Sequence, residues 1–331
     1  MTINIAINGL GRIGRCILRA IFELNREKDF NIMSVNGPAD IQEHAHLLKY
    51  DSTQGVFPGD ISYKENNLII NGYKIPLQQQ RDASKLNWQG VDILLECTGK
   101  FNDKESASAH LKSGAKKVIV SAPCTNADST IVYGVNNHAL QMQHQVISIG
   151  SCTTNCLSPV AKVLNDNIGI EAGFMTTIHS YTNDQRILDG SHKDLRRARS
   201  AAISMIPTST GAAKALGLVL PELEGKLDGA AVRVPTPNVS MIDLCFTASR
   251  DTSVEEINQL IKDNMSEVLT VAPAKLVSID FNHNPYSSIF DPYETKVVGK
   301  RFCRVVAWYD NEWGFSVRML DVAKLFSSLM K

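Results

Sequence analysis

The segment at residues 150–156, GSCTTNC, offers two thiols among small hydroxyl side chains. Its C-x-x-x-C spacing is not that of a zinc knuckle and no second Cys/His pair stands nearby, so no metal site is predicted. If the segment opens a helix, Cys152 lies in the first turn, where free N–H groups and the helix dipole lower the pKa of a thiol from about 8.5. Cys152 is therefore predicted to be a nucleophile, with a buried structural thiol as the alternative. Cys156, one turn later, is expected to face the core.

A nucleophilic thiol needs a base, and IHSYTND places His179 at the end of a predicted strand. His179 could pair with Cys152 across the fold and hold it as a thiolate. A lone histidine is more often structural, so the residues alone leave this pairing open.

A second chemical signal is NGLGRIGR, residues 8–15. Gly9, Gly11 and Gly14 form G-x-G-x-x-G between a predicted strand and a predicted helix. Such glycines allow a tight turn and let a pyrophosphate approach the helix N-terminus. The context favours a dinucleotide site over a plain strand-to-helix turn.

The second predicted strand should end in an acid that accepts hydrogen bonds from the adenosine ribose. Gly37 stands at that point, and Asp40 is interpreted as a loop acid. A 2′-phosphate beside a carboxylate would be disfavoured by roughly 4 kcal/mol for each unit-charge pair at 4 Å and an effective dielectric of 20. The missing acid removes a barrier to NADP but supplies no attraction.

Groups that could bind anions are concentrated in the second half of the chain. PTSTGAAK (207–214) places hydroxyls and a glycine before a predicted helix, which is typical of a phosphate-binding loop. Arginines can clamp phosphates through two parallel hydrogen bonds. A solvated or subunit-facing basic patch, and a buried structural pair for Arg233, are the alternatives. The candidate arginines are Arg196, Arg197, Arg199 and Arg233.

The elements that must position these residues follow two patterns. Over residues 1–150, apolar runs rich in Val, Ile and Leu alternate with helical segments such as 104–115, which predicts a doubly wound parallel sheet. The predicted strands are 3–8, 30–36, 91–97 and 116–122.

After Cys152, alternating apolar and polar residues predict antiparallel strands, and a polar, basic stretch at 182–200 is expected to be irregular. We expect a second domain over 151–314, while the helix at 315–331 packs back on the first. The predicted strands are 173–182, 230–235, 240–249 and 304–310, and the predicted helices are 158–168, 254–265 and 315–330.

Composition narrows the function classes. The 331 residues include 34 Lys and Arg against 34 Asp and Glu, so nucleic acid is not favoured as a partner. No run reaches the 18 apolar residues of a membrane span, and the start does not resemble a signal peptide. Seven scattered cysteines fit reduced thiols in a cytoplasm.

The chain resembles phosphorylating glyceraldehyde-3-phosphate dehydrogenases. The resemblance runs from end to end, and SCTTNC followed by HSYTNDQ is its most specific part. It implies an α/β fold with a Rossmann-type doubly wound domain plus an α+β catalytic domain with a mainly antiparallel sheet. It also implies a cytoplasmic homotetramer acting in glycolysis or gluconeogenesis. The other matching motifs are NGLGRIGR, AHLLKYDS, ECTGKF, SAP, HKDLRRAR, STGAAKA, VRVPTPNVS and WYDNEWGFS.

The resemblance implies a role for each matching residue. Cys152 is the nucleophile that forms a thioester, His179 is its base, and Asn311 orients the nicotinamide carboxamide. The implied NAD(P)-binding positions are Gly9, Gly11, Arg12, Ile13, Gly14, Asn36, Gly37, Arg81, Thr98, Gly99, Ser121, Ser191 and Asn311. The resemblance implies a substrate-phosphate site at Thr182 and Arg233. It implies an inorganic-phosphate site at Ser151, Thr153, Thr210, Gly211 and Arg197.

Two positions depart from NAD-specific members of the family. Those members usually carry Asp at the position of Gly37, and they often carry Leu-Pro at the positions of Gly190 and Ser191. In the family, a neighbouring subunit contributes this second pair of residues near the adenosine ribose. NADP-accepting members resemble this chain at both positions. We expect NADP to be accepted, with Ser191 as a phosphate ligand and Arg81 as a further candidate. An NAD enzyme that tolerates the loss of one ribose contact is the alternative.

Three rival functions are considered. Erythrose-4-phosphate dehydrogenases share the scaffold but depart from STGAAKA, which is intact here. A catalytically silent binding or assembly protein would not need Cys152, His179 and Asn311 together. A semialdehyde dehydrogenase would have no use for two phosphate sites.

Overall fold

The structure, a computed structural model, describes residues 2–330 and divides into two compact units. The first unit takes in Met1–Tyr133, Asn137–Gly150 and Phe315–Lys331, and the second takes in Gly134–Asn136 and Ser151–Gly314. Among the described residues, none of the helices has the length and apolar character that a membrane span requires.

The first unit is built on a nine-stranded sheet of order β10-β11-β9-β8-β1-β2-β7-β6-β5. The seven strands from β10 to β7 run parallel, and a hairpin adds β6 and β5 antiparallel. A separate two-stranded sheet pairs β3 with β4. The strands are β1 (Ile3–Asn8), β2 (Phe30–Asn36), β3 (Tyr50–Asp51), β4 (Gly55–Val56), β5 (Ile61–Lys64), β6 (Asn67–Ile70), β7 (Tyr73–Gln78), β8 (Ile93–Glu96), β9 (Lys117–Val120), β10 (Ser129–Thr130) and β11 (Val146–Ser148).

Helices supply the covering layers. In α1, Ile17, Leu18 and Ile21 are fully buried, which fits the apolar stripe of its sequence. The helices of the first part of the chain are α1 (Arg12–Glu23), α2 (Ile41–Lys49), α3 (Lys104–Ala107) and α4 (Ala109–Lys112).

The second unit carries a seven-stranded sheet of order β13-β14-β12-β15-β18-β17-β16. Its strands are β12 (Ile170–Ser180), β13 (Ile206–Ser209), β14 (Leu227–Val234), β15 (Ser240–Ala248), β16 (Leu269–Val271), β17 (Ser288–Val298) and β18 (Phe302–Tyr309). Its helices are α5 (Cys152–Ile168), α6 (Ala212–Leu216) and α7 (Val254–Asp263). The last helix, α8 (Trp313–Ser328), belongs to the first unit from Phe315 onward.

The predicted fold class is confirmed, with local differences. The helix predicted over 104–115 is interrupted at Ser108, whose hydroxyl donates to the Lys104 carbonyl at 2.6 Å and competes with the backbone ladder. The strands of the second unit are not all antiparallel, because β14 runs parallel to β12. The chain between these two strands is long enough to return to the starting edge of the sheet, which a parallel pair requires.

Candidate active site and cofactor cleft

The first turn of α5 presents Cys152. Ser151 is the N-cap, and its Oγ accepts a hydrogen bond from the Thr154 N–H at 3.0 Å. Thr153 is buried, and its Oγ1 lies 2.8 Å from the Tyr309 hydroxyl on β18. That hydroxyl also lies 2.9 Å from Thr177 Oγ1 on β12. The start of the helix is therefore fixed against the sheet of its own unit.

His179, near the end of β12, faces the thiol. Its Nε2 lies 3.5 Å from Cys152 Sγ, within the reach of a hydrogen bond to sulfur. The imidazole is 4% exposed, and Tyr309 packs edge-on against it with ring centroids 5.9 Å apart. The other ring nitrogen, Nδ1, lies 2.7 Å from the Ser180 carbonyl oxygen. The candidate nucleophile Cys152 therefore contacts the candidate base His179, and the Ser180 carbonyl contacts the other nitrogen of the imidazole.

Arg233 lies on the other side of this ring. In the β12–β14 pairing it is directly opposite His179, and its Nη1 lies 2.6 Å from His179 Nδ1. The same Nη1 donates to the Ser180 carbonyl at 2.9 Å. A guanidinium only donates, so the Arg233 contact favours a lone pair on Nδ1, whereas the Ser180 carbonyl favours a proton on the same nitrogen. A base role for Nε2 requires the second tautomer, with Arg233 donating to the Ser180 carbonyl alone.

Burial and charge set the proton distribution of the pair. Burial, with the Arg233 charge adding to it, lowers the pKa of His179 to about 3. Burial raises the pKa of the Cys152 thiol above its usual value, although Arg233 and Thr153 act in the opposite direction. The backbone N–H groups of Cys152 and Thr153 at the helix start do act to lower this pKa, as expected, but the net lowering is not found in the unliganded protein. Desolvation of a sulfur among packed side chains outweighs the helix terminus, so thiol and imidazole are both neutral.

Asn311 is oriented by two hydroxyl groups. Its Oδ1 accepts hydrogen bonds from Ser180 Oγ and Ser240 Oγ, both at 2.8 Å. Ser240 Oγ in turn accepts from the Ser180 N–H at 3.0 Å. With its oxygen engaged twice, the buried amide can offer its nitrogen as a donor.

The residues predicted to bind phosphates fall into separate groups. Arg233 lies in the thiol–imidazole cluster, whereas Arg197 pairs with Asp184 at 2.6 Å and donates to Thr208 Oγ1 at 2.8 Å. The Thr182 N–H donates to Gln185 Oε1 at 2.9 Å. Arg197 is therefore held beside a hydroxyl by a carboxylate.

The end of the predicted phosphate loop also has its own contacts. Thr210 Oγ1 accepts from the Ala212 N–H at 3.2 Å, and Gly211 is the N-cap of the short helix α6. Arg199 extends away into an exposed pair with Asp189.

In the first unit, the glycine-rich turn after β1 fits a dinucleotide. Gly9 has φ +104°, and a Cβ there would lie 2.8 Å from the Thr98 nitrogen. A Cβ on Gly14 would lie 2.0 Å from the Gly9 carbonyl oxygen, whereas one on Gly11 would meet nothing within 4 Å. Two glycines are thus required for close packing, and the third leaves open space for a ligand. The N-cap of α1 is Gly11, with no side-chain cap and no acid in the first turn, which suits an anion.

A cleft of about 350 Å³ lies beside this turn. Arg12 directs its guanidinium to Asp51 at 2.6 Å and to Thr53, so only its backbone fits the predicted pyrophosphate contact. The Asn36 side chain donates to Asn8 Oδ1 at 2.7 Å and to the Gln80 carbonyl at 3.0 Å, which fixes the rim. The predicted residues that line the cleft are Gly9, Gly11, Asn36, Arg81 and Thr98. Those outside its lining are Arg12, Ile13, Gly14, Gly37, Gly99 and Ser121 of the first unit and Ser191 and Asn311 of the second.

Several side chains at these sites were not predicted. Tyr309 lies inside the quoted WYDNEWGFS motif, so its position was available as a signal. Ser180 and Ser240 could not be singled out, because serines at strand ends are common and their shared acceptor is distant in sequence. His44, which lines the cofactor cleft, has no sequence signal.

The other thiols differ from Cys152 in their surroundings. All seven cysteines are free, and Cys156 is fully buried with its Sγ 3.6 Å from Ser288 Oγ, as expected for a core residue. Within residues 2–330, no group of three or more His, Cys, Asp or Glu side chains is arranged to hold a metal ion.

Comparisons with known proteins assign both halves of the chain. Residues 3–104 match the family model described as glyceraldehyde 3-phosphate dehydrogenase, NAD binding domain, and residues 151–311 match that of the C-terminal domain. The chain belongs to the glyceraldehyde-3-phosphate dehydrogenase family. It is 55% identical over 334 residues to glyceraldehyde-3-phosphate dehydrogenase of Cereibacter sphaeroides, with the full length of both chains covered.

Further members of the glyceraldehyde-3-phosphate dehydrogenase family are similar over their full length. Those of Pseudomonas aeruginosa and Geobacillus stearothermophilus are 53% and 50% identical, covering 98% and 99% of each chain. The protein is thus an oxidoreductase with an NAD(P)-binding domain, and the suspected family is confirmed.

Proposed function

We propose that this protein oxidises D-glyceraldehyde 3-phosphate, with NAD(P) and inorganic phosphate, to 1,3-bisphosphoglycerate through a thioester on Cys152. The observation that carries the proposal is the 3.5 Å contact between Cys152 Sγ and His179 Nε2, in a chain that matches the family over both domains. The reaction belongs to glycolysis, or to gluconeogenesis in reverse.

The chain's own residues account for the proton movements. As Cys152 Sγ bonds to the aldehyde carbon, His179 Nε2 accepts the thiol proton and passes it to the aldehyde oxygen, which gives a hemithioacetal. His179 takes the hydroxyl proton back as the carbon–hydrogen bond breaks and a thioester forms. The nicotinamide ring of bound NAD(P) supplies the hydride acceptor, and Asn311 is proposed to hold its carboxamide.

Phosphate completes the reaction. An oxygen of inorganic phosphate attacks the thioester carbonyl, the carbon–sulfur bond breaks, and Cys152 leaves as a thiolate that recovers its proton. Thr182 and Arg233 are proposed to hold the substrate phosphate. The proposed ligands of the attacking phosphate are Ser151, Thr153, Thr210, Gly211 and Arg197.

We further propose that NADP is accepted as well as NAD. No carboxylate stands at Gly37, and Arg81 lines the cofactor cleft. The remaining cofactor positions, Gly9, Gly11, Arg12, Ile13, Gly14, Asn36, Thr98, Gly99 and Ser121, are proposed to serve both cofactors.

A homotetramer in the cytoplasm is the proposed form of the enzyme. Four side chains in or just after the irregular segment are at least 77% exposed, namely Ile187, Leu188, Leu195 and Ile203, so this part of the second unit is apolar enough for an interface. Ser191, in the same segment, would then serve the cofactor of a neighbouring subunit.

Steady-state kinetics test the proposal directly. We expect turnover of glyceraldehyde 3-phosphate with NAD and with NADP, and a loss of sustained turnover when phosphate is omitted. Unchanged turnover without phosphate would contradict the acyl-phosphate product, and a preference for erythrose 4-phosphate would point to the rival dehydrogenase. Turnover with NAD but not with NADP would contradict the proposed acceptance of NADP, while the proposed reaction would still hold.

A further inference from the structure

His44, on α2, fills the space that a side chain at position 37 would occupy. A Cβ built on Gly37 would lie 2.5 Å from His44 Nε2 and 2.6 Å from its Cε1. Gly37 follows β2 directly, and this strand end is where dinucleotide-binding folds place the residue that contacts the ribose 2′ position. The imidazole of His44 thus lies at the place from which an acid is missing.

The His44 side chain is buried but incompletely bonded. It is 5% exposed and lines the cofactor cleft. Within the described part of the chain neither Nδ1 nor Nε2 makes a hydrogen bond of good geometry, although the Gly37 backbone lies close enough to favour the charged imidazole. Buried polar groups are nearly always paired, and an orphaned group in a cleft calls for an explanation. A ligand in the cleft would supply the missing acceptor.

The charges around His44 come from three elements. Arg15 on α1 and the exposed Arg81, which lines the same cleft, are positive. Asp40, the N-cap of α2, and Glu43 on the same helix are negative. Burial lowers the pKa of His44 below its ordinary value, and the Arg15 charge adds a smaller lowering effect. The Gly37 backbone and the two carboxylates act in the opposite direction. The free protein therefore holds His44 neutral near pH 7.

We propose that His44, as an imidazolium, pairs with the 2′-phosphate on the adenosine ribose of NADP. This role rests on the proposed acceptance of NADP. Gly37 only removes the repulsion that a carboxylate would exert on the 2′-phosphate, whereas His44 supplies an attraction. Since a 2′-phosphate brings close to two negative charges at neutral pH, its arrival favours the charged imidazole. Binding of NADP should then take up a proton, whereas binding of NAD should not.

Calorimetric titration of the full-length protein with each cofactor tests this without any turnover. Near pH 7.5 the free 2′-phosphate, with a pKa of about 6, is mostly a dianion and free His44 is neutral. Titrations in two buffers of different ionisation enthalpy give the number of protons taken up. We expect close to one proton for NADP and close to none for NAD.

Variants of α2 identify the residue responsible. His44→Asn should abolish the proton uptake and weaken NADP binding by about tenfold to a hundredfold, as expected for loss of a charge-assisted hydrogen bond. NAD binding should change by no more than about threefold, and it reports that the variant is folded. The matched control is His46→Asn, because His46 lies on the same helix but is exposed, and it should leave both quantities unchanged.

The two proposals fail in different ways. If NADP binds the unaltered protein far more weakly than NAD, NADP acceptance is wrong and the role of His44 is overturned with it. If NADP binds well but His44→Asn leaves either its affinity or its proton uptake unchanged, only the role of His44 is overturned. A comparable loss of NAD affinity in His44→Asn would also overturn it, since the imidazole would then not distinguish the 2′ substituents.

Discussion

Arg233 Nη1 lies 2.6 Å from His179 Nδ1, while Cys152 Sγ lies 3.5 Å from the other nitrogen of the same ring. One imidazole therefore separates a thiol from a guanidinium. The positive charge favours a thiolate and disfavours an imidazolium, as the direction of its influence on both pKa values indicates. Arg233 is thus placed to affect the reactivity of the sulfur as well as any bound phosphate.

Replacing Arg233 by Gln should make Cys152 less reactive. Loss of the positive charge raises the pKa of the thiol further, and a neighbouring opposite charge is typically worth one unit or more. The pH profile of Cys152 alkylation by iodoacetamide, measured without cofactor or substrate, should move upward by about one unit. Arg196→Gln, at an exposed site, is the control and should leave the profile in place. An unshifted profile in Arg233→Gln would show that the guanidinium does not act on the sulfur.

His179 should make the protein less stable in acid. Its folded-state pKa, near 3, lies below the unfolded value of about 6.5, so the unfolded chain binds more protons between these values. The stabilising contribution is complete above about pH 6.5 and is lost as the pH falls toward 3. Between pH 6.5 and pH 5 the unaltered protein should lose about 2 kcal/mol more unfolding free energy than His179→Gln.

Urea unfolding at the two pH values measures this difference. Carboxylates protonate alike in both proteins, so their effects cancel in the comparison. Equal losses in the two proteins would mean that His179 is charged in the folded state, which is contrary to the neutral pair.

Cys152→Ser should reduce kcat by at least a thousandfold, because a hydroxyl is a far weaker nucleophile than a thiol at neutral pH. Cys156→Ser is the matched control on the same helix. Its sulfur is buried against Ser288, and we expect a stability cost with little loss of kcat. Rapid alkylation should be confined to Cys152 in the unaltered protein. Near-normal oxidation by the Cys152→Ser enzyme would refute the covalent mechanism.

Ser240→Ala should loosen Asn311. The substitution removes one of the two hydroxyl donors to Asn311 Oδ1, along with the acceptor of the Ser180 N–H. We expect about a tenfold fall in kcat and weaker NAD binding, with little change in KM for the aldehyde, because the amide orients cofactor rather than substrate. The stability cost should be about 1–2 kcal/mol. An increase in the KM for the aldehyde with unchanged NAD affinity would show that Asn311 acts on the substrate rather than on the cofactor.

Gly37→Asp should fail to create a good NAD site by itself. The new Cβ would lie 2.5 Å from His44 Nε2, so either the imidazole or the strand end must move. We expect weaker binding of both cofactors in the single variant. The double variant Gly37→Asp with His44→Ala should recover NAD binding and discriminate against NADP by about tenfold or more, because a carboxylate repels the 2′-phosphate. Equilibrium binding of both cofactors measures this, and full NAD affinity in the single variant would show that the space is freely adjustable.

Local sequence patterns predicted much of the fold. The strands at 3–8 and 30–36 were predicted to the residue, because both are short, mainly apolar runs rich in Ile and Val or other large apolar residues. The parallel pairing of β12 with β14 was not predicted, because strand direction depends on how a long intervening segment returns to the sheet. Ser108 was likewise read as an ordinary helical residue, since its competing hydrogen bond is a local choice that periodicity does not register.

The sequence by itself determined the chemical inventory: a thiol at a helix start, a histidine at a strand end and glycines where a pyrophosphate must approach. Such features depend on residue type and on neighbours within a few positions, which the chain order preserves. Only the tertiary structure decided that Arg233 lies beside His179, that Arg197 is held by Asp184, and that His44 fills the space at Gly37. The charge states and partners of these groups depend on burial and on which residues distant in sequence come close in space. Neither of these can be read from local sequence.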